Sequence, residues 1–299
     1  MTASEDEEKP VEVEQGFKSI IVDDEGLGLL VSKPRFFSYL KSAWLKRHFS
    51  IAYARARALS TGRDRYLGSL WIVLDPVFQV AIYGLIFGLI LNVSRGIDNF
   101  IGFLIIGVVY FGFFQKGINA GSGLIQSSRS LISSFYFPKV LLVVAEIVRA
   151  VINNFIPATL AIVFAVFFQL DQPLHWTIIF VIPLFFLIHF FIFGAELIIA
   201  RMTAFIPDLK SLVSLFMRGM FFLSGVFFTI SRFEASPVIT TLVELNPVYQ
   251  FLMAVRNCVL IGDIPTLEVW AYLTAWSFGL ILFGLVFFWT AEERYAGVR

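Results

Sequence analysis

From Val269 to Thr290 the chain carries 22 consecutive residues without a charge. In hydrocarbon every backbone N–H and C=O must be satisfied within the segment itself, so a block of this kind folds as a helix. About 20 helical residues cross a hydrocarbon core of about 30 Å. Five further apolar blocks, near 71–93, 100–120, 142–168, 176–200 and 211–230, approach the same length. The expected fold is all-α: a polytopic membrane protein with six transmembrane helices, although 299 residues would also allow two soluble domains. Composition agrees, because 15% charged residues, against roughly 25% in soluble domains, cannot cover a water-facing surface. The second block is the weakest, with fifteen uncharged residues, Phe100 to Phe114, before Gln115 and Lys116. Its inner half needs shielding by protein or headgroups.

The net charge of +1 conceals a segregation. Residues 1–25 hold nine acids against two lysines, and residues 26–70 hold nine Lys/Arg against Asp64 alone. The stretch 1–30 is expected to be a disordered acidic cytoplasmic tail, since Glu5 to Glu14 lacks apolar periodicity. Those acids also exclude the basic start of a signal peptide.

Within 31–70, Phe36, Phe37, Leu40, Trp44 and Leu45 recur at helical spacing with Lys41, Lys46, Arg47 and His48 between them. The pattern predicts an amphipathic helix over Phe36 to Phe49 lying in a membrane interface. A soluble helix packed on a core is the alternative. Arg55, Arg57, Arg63 and Arg65 read as a headgroup-facing charge run and not as a nucleic-acid site.

Six spans leave both termini on one side, and the Lys/Arg asymmetry says which. With cytoplasmic termini, 20 Lys/Arg lie inside and only Arg95, Arg232 and Arg256 outside. The expected location is a plasma (inner) membrane. In the outer segment 231–268, Pro237 to Leu245 and Val248 to Ile261 are apolar but too short to span, with Asn246-Pro247 between them. A re-entrant helix pair between spans five and six is expected, covered by protein or facing a water-filled cavity; a small extracytoplasmic cap is the alternative.

Ionisable groups inside the blocks are costly and need partners or an aqueous face. Glu146 and Arg149 are spaced to pair on one helix. Glu196 and Arg218 are candidates for an interhelical pair, and His189 is expected to be a packed histidine more readily than a proton relay. Aromatics are dense, with 35 Phe in all. Tyr83, Phe87, Tyr110, Phe113, Phe222 and Phe227 are candidates to line a conduit, where ring faces stack on the apolar faces of sugar rings.

No G-x-x-x-x-G-K-[ST] loop is present, and the glycines from Gly117 to Gly123 lack its lysine. His48, His175 and His189 stand on separate segments, and Cys258 is the lone cysteine, so no metal site or disulfide framework is expected. No catalytic motif appears either. The chain is expected not to be an enzyme, and uphill transport would draw energy from another chain or an ion gradient.

The run Arg65-Tyr66-Leu67-Gly68-Ser69-Leu70-Trp71, followed by Leu74-Asp75-Pro76, resembles the lead-in to the first span in the membrane subunits of ABC-2 type exporters. The likeness is closest to those exporting O-antigen, capsule, teichoic acid and cell-wall galactan. It continues through Phe137-Pro138-Lys139, Asn246-Pro247, Arg256, Gly262 and Pro265 to Glu293-Arg294-Tyr295-Ala296, in order and from about residue 36 to the end.

The resemblance implies the permease half of an ATP-driven exporter, moving a lipid-linked polysaccharide from the cytoplasm to the outer face of the inner membrane. It implies a homodimer over two copies of a separate ATPase that binds ATP and Mg, with membrane lipids around it and no nucleic acid. The six-span domain would be 71–299. The family's ATPase-coupling helix maps onto Gln126 to Phe137, giving Arg129, Leu131, Ile132, Phe135, Tyr136, Phe137, Pro138 and Lys139 as docking candidates. Its interfacial helix maps onto Phe36, Phe37, Leu40 and Trp44, and its outer gate onto Asn246, Pro247, Tyr249 and Arg256. Two departures are the acidic tail and Pro207-Asp208, where many relatives carry an Arg-Asp pair. Rival expectations are a permease for a drug or lipid, a membrane-embedded transferase acting on a polyprenyl carrier, and an ion-coupled transporter. The scattered Asp75, Asp98, Asp171, Asp208 and Asp263 do not supply the convergent acids a transferase needs.

Overall fold

The computed structural model describes residues 35–60, 70–90, 99–170, 172–230 and 236–298, without the side chains of 55–60, 72, 73, 76 and 87–89. The acidic tail, Arg65 to Ser69 and the side chains of Pro76 and Phe87 lie outside them. Pro34–Arg299 form one compact unit. Every regular element among the described residues is helical. In chain order they are α1 (Phe36–Leu45), α2 (Arg47–Ser60), α3 (Trp71–Tyr83, continued by π-type turns Gly84–Ile90) and α4 (Phe100–Gly121). The short α5 (Leu124–Ser127) and α6 (Arg129–Ser134) lead into α7 (Val140–Phe167). Then come α8 (Val181–Phe205, after a 3-10 turn Trp176–Phe180), α9 (Leu209–Leu223), α10 (Pro237–Glu244) and α11 (Pro247–Arg256, continued by Asn257–Ile261). The chain closes with α12 (Leu267–Trp289) and a 3-10 segment, Glu292–Gly297.

Among the described residues, four helices are long and apolar enough to cross a membrane: α4, α7, Trp176–Phe205 and α12. They coincide with four of the expected blocks. The first block is α3 with its π-type turns, and the fifth is α9, whose 15 residues reach only about 22 Å at 1.5 Å per residue. Pro237–Glu244 and Pro247–Ile261 pass the same test only together, bent by 79°, which raises the number of spans to five if the pair is counted as one.

Local chemistry sets the helix starts. Asn99 caps α4 by accepting a hydrogen bond from Gly102 N at 2.8 Å, Pro237 and Pro247 occupy first-turn positions of α10 and α11, and Thr266 caps α12. In a membrane the lipid is as apolar as the protein interior, so helices are held by close packing and interhelical hydrogen bonds. The most extensive pair, α8 with α12, shows both. A Cβ on Gly194 would stand 2.6 Å from Ile281 N, and one on Gly284 would stand 2.7 Å from Gly194 O, so two missing side chains let these backbones touch. Ser277 Oγ of α12 donates to Leu187 O of α8 at 3.0 Å.

α4 is the most enclosed of the four long helices. Its Phe114 meets Phe191 of α8 and Phe251 of α11, with ring centroids 5.6 Å apart in both cases. Glu146 and Arg149 form the expected ion pair on α7. His189 is packed, as expected: its Nδ1 faces Phe185 O at 2.7 Å, a carbonyl that only accepts, so Nε2 is left to accept from the Asn154 amide at 3.1 Å. The Glu196–Arg218 pair is not formed. Glu196 is 1% exposed with no hydrogen-bond partner for either carboxylate oxygen, whereas Arg218 lies on the outward side of α9.

Candidate functional site

Two clusters stand out, one at each end of the bundle. At the first, α1, the segment leaving α6 and the chain's last turn converge. Tyr39 Oη donates to Glu292 Oε2 at 2.8 Å and accepts from Val140 N at 3.1 Å. Glu292 Oε1 accepts from Lys139 N at 2.9 Å and lies 3.4 Å from Lys139 Nζ. Glu292 is the acceptor in both of its hydrogen bonds, from Tyr39 and from Lys139 N, the pattern of an ionised carboxylate. Burial nevertheless pushes its carboxyl above the ordinary value, against the pull of the Lys139 charge and the hydrogen bonds. Burial first, then the Glu292 charge, pushes the Tyr39 phenol well above its own. Tyr295 is raised by the same burial, and its Oη closes the turn on Phe288 O at 3.0 Å.

The expected coupling residues divide here by direction. Ile132, Phe137, Pro138 and Lys139 are buried and Leu131 is half-buried, while Arg129, Phe135 and Tyr136 face outward, Tyr136 being 78% exposed. The helix is shorter than expected, ending at Ser134, so that Phe135 to Pro138 run on without regular structure into Lys139 and α7. This stretch is pinned from beneath. Lys46 Nζ donates to Tyr136 O at 2.9 Å, Phe49 meets Phe137 at 5.2 Å between ring centroids, and the ammoniums of Lys46 and Lys139 stand 5.6 and 5.7 Å from the Tyr136 ring. The expected helix Phe36 to Phe49 breaks at Lys46, between α1 and α2. Phe37 and Trp44 of α1 face outward, Phe36 and Leu40 are half-buried, and Phe36 meets the ring of Trp289 at 5.4 Å.

At the other end, the expected gate residues grip the end of α9. Asn246 caps α11 by accepting from Val248 N at 3.0 Å and donates to Ser224 Oγ at 3.0 Å. Pro247 follows it at the first turn, and the Tyr249 ring packs where a Cβ on Gly225 would otherwise stand, 2.7 Å away. Arg256, 1% exposed, donates from Nε to Phe103 O at 3.2 Å, from Nη1 to Gly225 O at 2.8 Å and from Nη2 to Val226 O at 3.0 Å. Its guanidinium also lies over the Phe103 ring, 3.4 Å from the centroid. Carbonyl oxygens therefore carry the charge, and among the described residues no carboxylate pairs with it. Room for Nη2 exists because Gly107 has no Cβ.

The aromatic candidates fall into two groups. Tyr83 meets Phe221 and Phe227 at 5.4 and 5.2 Å, and Phe222 meets Phe227 at 5.9 Å; Phe222 is exposed and Phe227 buried. Tyr110 and Phe113 sit apart, enclosed by the chain, with Phe113 against Phe185 and His189. Sequence reasoning missed Tyr39, Glu292, Gly107 and Ser224. The one available signal was Tyr39 standing four residues before Ala43, the two buried positions of α1.

The chain belongs to the ABC-2 type transporter family, whose profile matches residues 50–260. It is similar to the O-antigen export system permease protein RfbA of Myxococcus xanthus, 23% identical over 235 residues that cover 78% of this chain and 88% of the relative. It is equally similar to the RfbA permease of Klebsiella pneumoniae, 23% identical over 240 residues covering 79% and 89%. The resemblance drawn from the ordered motifs therefore holds at the level of the family. The chain is a multi-pass membrane permease.

Proposed function

We propose that the protein is the permease half of an ATP-driven exporter that carries a lipid-linked polysaccharide outward across an inner membrane. The observation that carries this reading is the cluster joining Tyr39, Lys139 and Glu292. It brings the first helix, the last turn and the loop between α4 and α7 to one end of the bundle. With α1 and the turn after α12 at one end, an even number of crossings lies between them. Six follow if α3 and α9 both cross and the bent pair dips back, and the 20-to-3 distribution of Lys/Arg makes that shared end cytoplasmic.

On this reading α1 lies in the interface, with Phe37 and Trp44 toward lipid. Arg129, Phe135 and Tyr136 meet a separate ATPase chain, which holds ATP and Mg. Two copies of the permease enclose the conduit. Tyr83, Phe222 and Phe227 line it, Phe87 continues that helix, and Tyr110 and Phe113 form the layer behind. Closure of the ATPase pair pushes the loop, and Lys139 and Glu292 pass the movement to α1 and to the end of α12. Asn246, Pro247, Tyr249 and Arg256 hold the outer gate against the end of α9. The polysaccharide cargo rests on the printed function of the two relatives, at 23% identity.

The test is co-expression with a candidate ATPase chain, co-purification as a complex, and ATP turnover in proteoliposomes with and without a lipid-linked oligosaccharide. Stimulation by the oligosaccharide is the expected result. A permease that transports without any ATPase partner would overturn the reading, and stimulation by a drug or simple lipid alone would change the cargo.

A further inference from the structure

A cavity of about 410 Å³ lies between α3, α4 and α7, bounded by Val80 and Ala81, by Ile105 and Val109, and by Leu160 and Phe164. Its volume falls within the roughly 300–1,000 Å³ of small-molecule sites. Unlike those sites, its wall carries no polar side chain among the described residues. A cavity of that chemistry stays free of water and takes apolar matter.

Its depth can be read from the helices. Along α4 the wall runs from Ile101 to Val109, about 12 Å, and along α7 from Pro157 to Phe168, about 16 Å. That is about half of a hydrocarbon core of about 30 Å, the thickness of one leaflet. At the rim Ala81, Ile101 and Phe164 are exposed. The polar lip at the Asn99 end is already satisfied. Asn99 Nδ2 donates to Ala165 O and Gln169 Oε1 at 3.1 and 3.2 Å, Asn99 Oδ1 accepts from Gly102 N, and Gln169 Nε2 donates to Leu260 O at 2.8 Å. Asn99 and Gln169 therefore spend their side-chain groups on the protein itself. Val80 and Ala81 of α3 line the cavity with α7, whereas Tyr83 of α3 meets Phe221 and Phe227, on the side of α9.

We infer that this cavity is a binding site for one acyl chain of a bilayer phospholipid from the leaflet at the Asn99 end. An isoprenoid carrier chain, several times longer than one leaflet, would leave most of its length outside. A second copy of the protein would have to insert an apolar side chain past the same rim. The inference rests on membrane placement and not on the cargo, so it can fail while the exporter reading stands.

The test uses the full chain in nanodiscs containing a trace of phospholipid with a diazirine in mid-chain, irradiated and mapped by peptide mass spectrometry. Ile105 is almost fully buried and lines the cavity. Labelling of the Ile105 and Leu160 peptides above that of the exposed Leu282–Phe283 stretch of α12 is expected. It should drop to the α12 level in Ala161→Phe, which fills the wall. It should drop equally in Ala81→Trp, a change at an exposed position that leaves the unfolding midpoint intact and so guards against misfolding in the first variant. Wild-type labelling equal to that of α12, or labelling that survives Ala81→Trp, would overturn the site. Selective displacement by polyprenyl phosphate at equal mole fraction would overturn the acyl assignment, and a crosslink from Ile105 to a second copy would overturn the lipid.

Discussion

Tyr39 and Glu292, 253 positions apart in sequence, share a buried hydrogen bond of 2.8 Å that ties the first helix of the bundle to its last turn. The hydroxyl also receives Val140 N, so one oxygen joins three segments. Tyr39→Phe removes both bonds and keeps the ring. A hydrogen bond to a charged group contributes about 1.5–3 kcal/mol, and a loss of that size in thermal unfolding is expected. Phe37→Ala, on the exposed side of the same helix, should change stability little. If the two variants melt alike, the junction is not holding α1.

The same cluster predicts a pH dependence with a definite sign. Burial raises the Glu292 carboxyl above its ordinary value of 4.5. A raised acid stabilises the fold fully below that ordinary value, and the contribution is lost as pH climbs through the raised folded value. The Tyr39 phenol, also raised, acts in the same direction above its ordinary value of 10.0. The unfolding midpoint of the wild type, followed upward from the ordinary glutamate range, should therefore fall relative to that of Glu292→Gln. Parallel profiles would show that Glu292 titrates as it does in the unfolded chain.

Four of the six expected spans were legible because length and sparse charge are enough to mark them. α4, α7, α8 and α12 stand within a few residues of the expected blocks. The Asn246-Pro247 pair also read correctly as a break, since a cap and a first-turn proline act locally. Orientation within the helices did not read. In α1 the aromatic Phe37 and Trp44 turn outward while Tyr39 and Ala43 turn inward. In the bundle Phe114 is buried and Phe216 exposed. Hydrophobicity marks the inside of a protein only when the outside is water, and against lipid it loses that meaning. The junction of Lys139 with Glu292, 153 positions apart, has no local signature at all.

Arg256 makes a second case where a contact decides an outcome. Replacing it by Ala leaves the carbonyls of Phe103, Gly225 and Val226 without their donor. An unsatisfied buried group costs about 1–3 kcal/mol, so a loss of at least about 2 kcal/mol is expected. Arg256→Lys, with a single ammonium, should recover only part of it. Gly107→Ala should mimic the loss, because the added methyl group meets Nη2 and stands 3.0 Å from Val226 O. Limited proteolysis in the segment between α9 and α10 reads the release of the Arg256 contacts. Unchanged cleavage in both Arg256→Ala and Gly107→Ala would mean that the clasp does not hold the pair.

Arg129 tests the docking face without touching the fold. It is exposed at the first position of α6, the 6-residue helix that leads into the outward Phe135 and Tyr136. Charge reversal at an exposed position usually alters stability by no more than about 0.5 kcal/mol. At a rim it acts instead on association, through long-range steering and like-charge repulsion. Arg129→Glu should leave the unfolding midpoint in place and weaken capture of the ATPase by about tenfold, equivalent to about 1.4 kcal/mol. Tyr136→Ala should weaken capture too, but through lost contact area and therefore without the sensitivity to salt that marks a charge effect. Capture that is unaffected by both substitutions would move the ATPase off α6 and leave the junction of Tyr39, Lys139 and Glu292 as a structural brace alone.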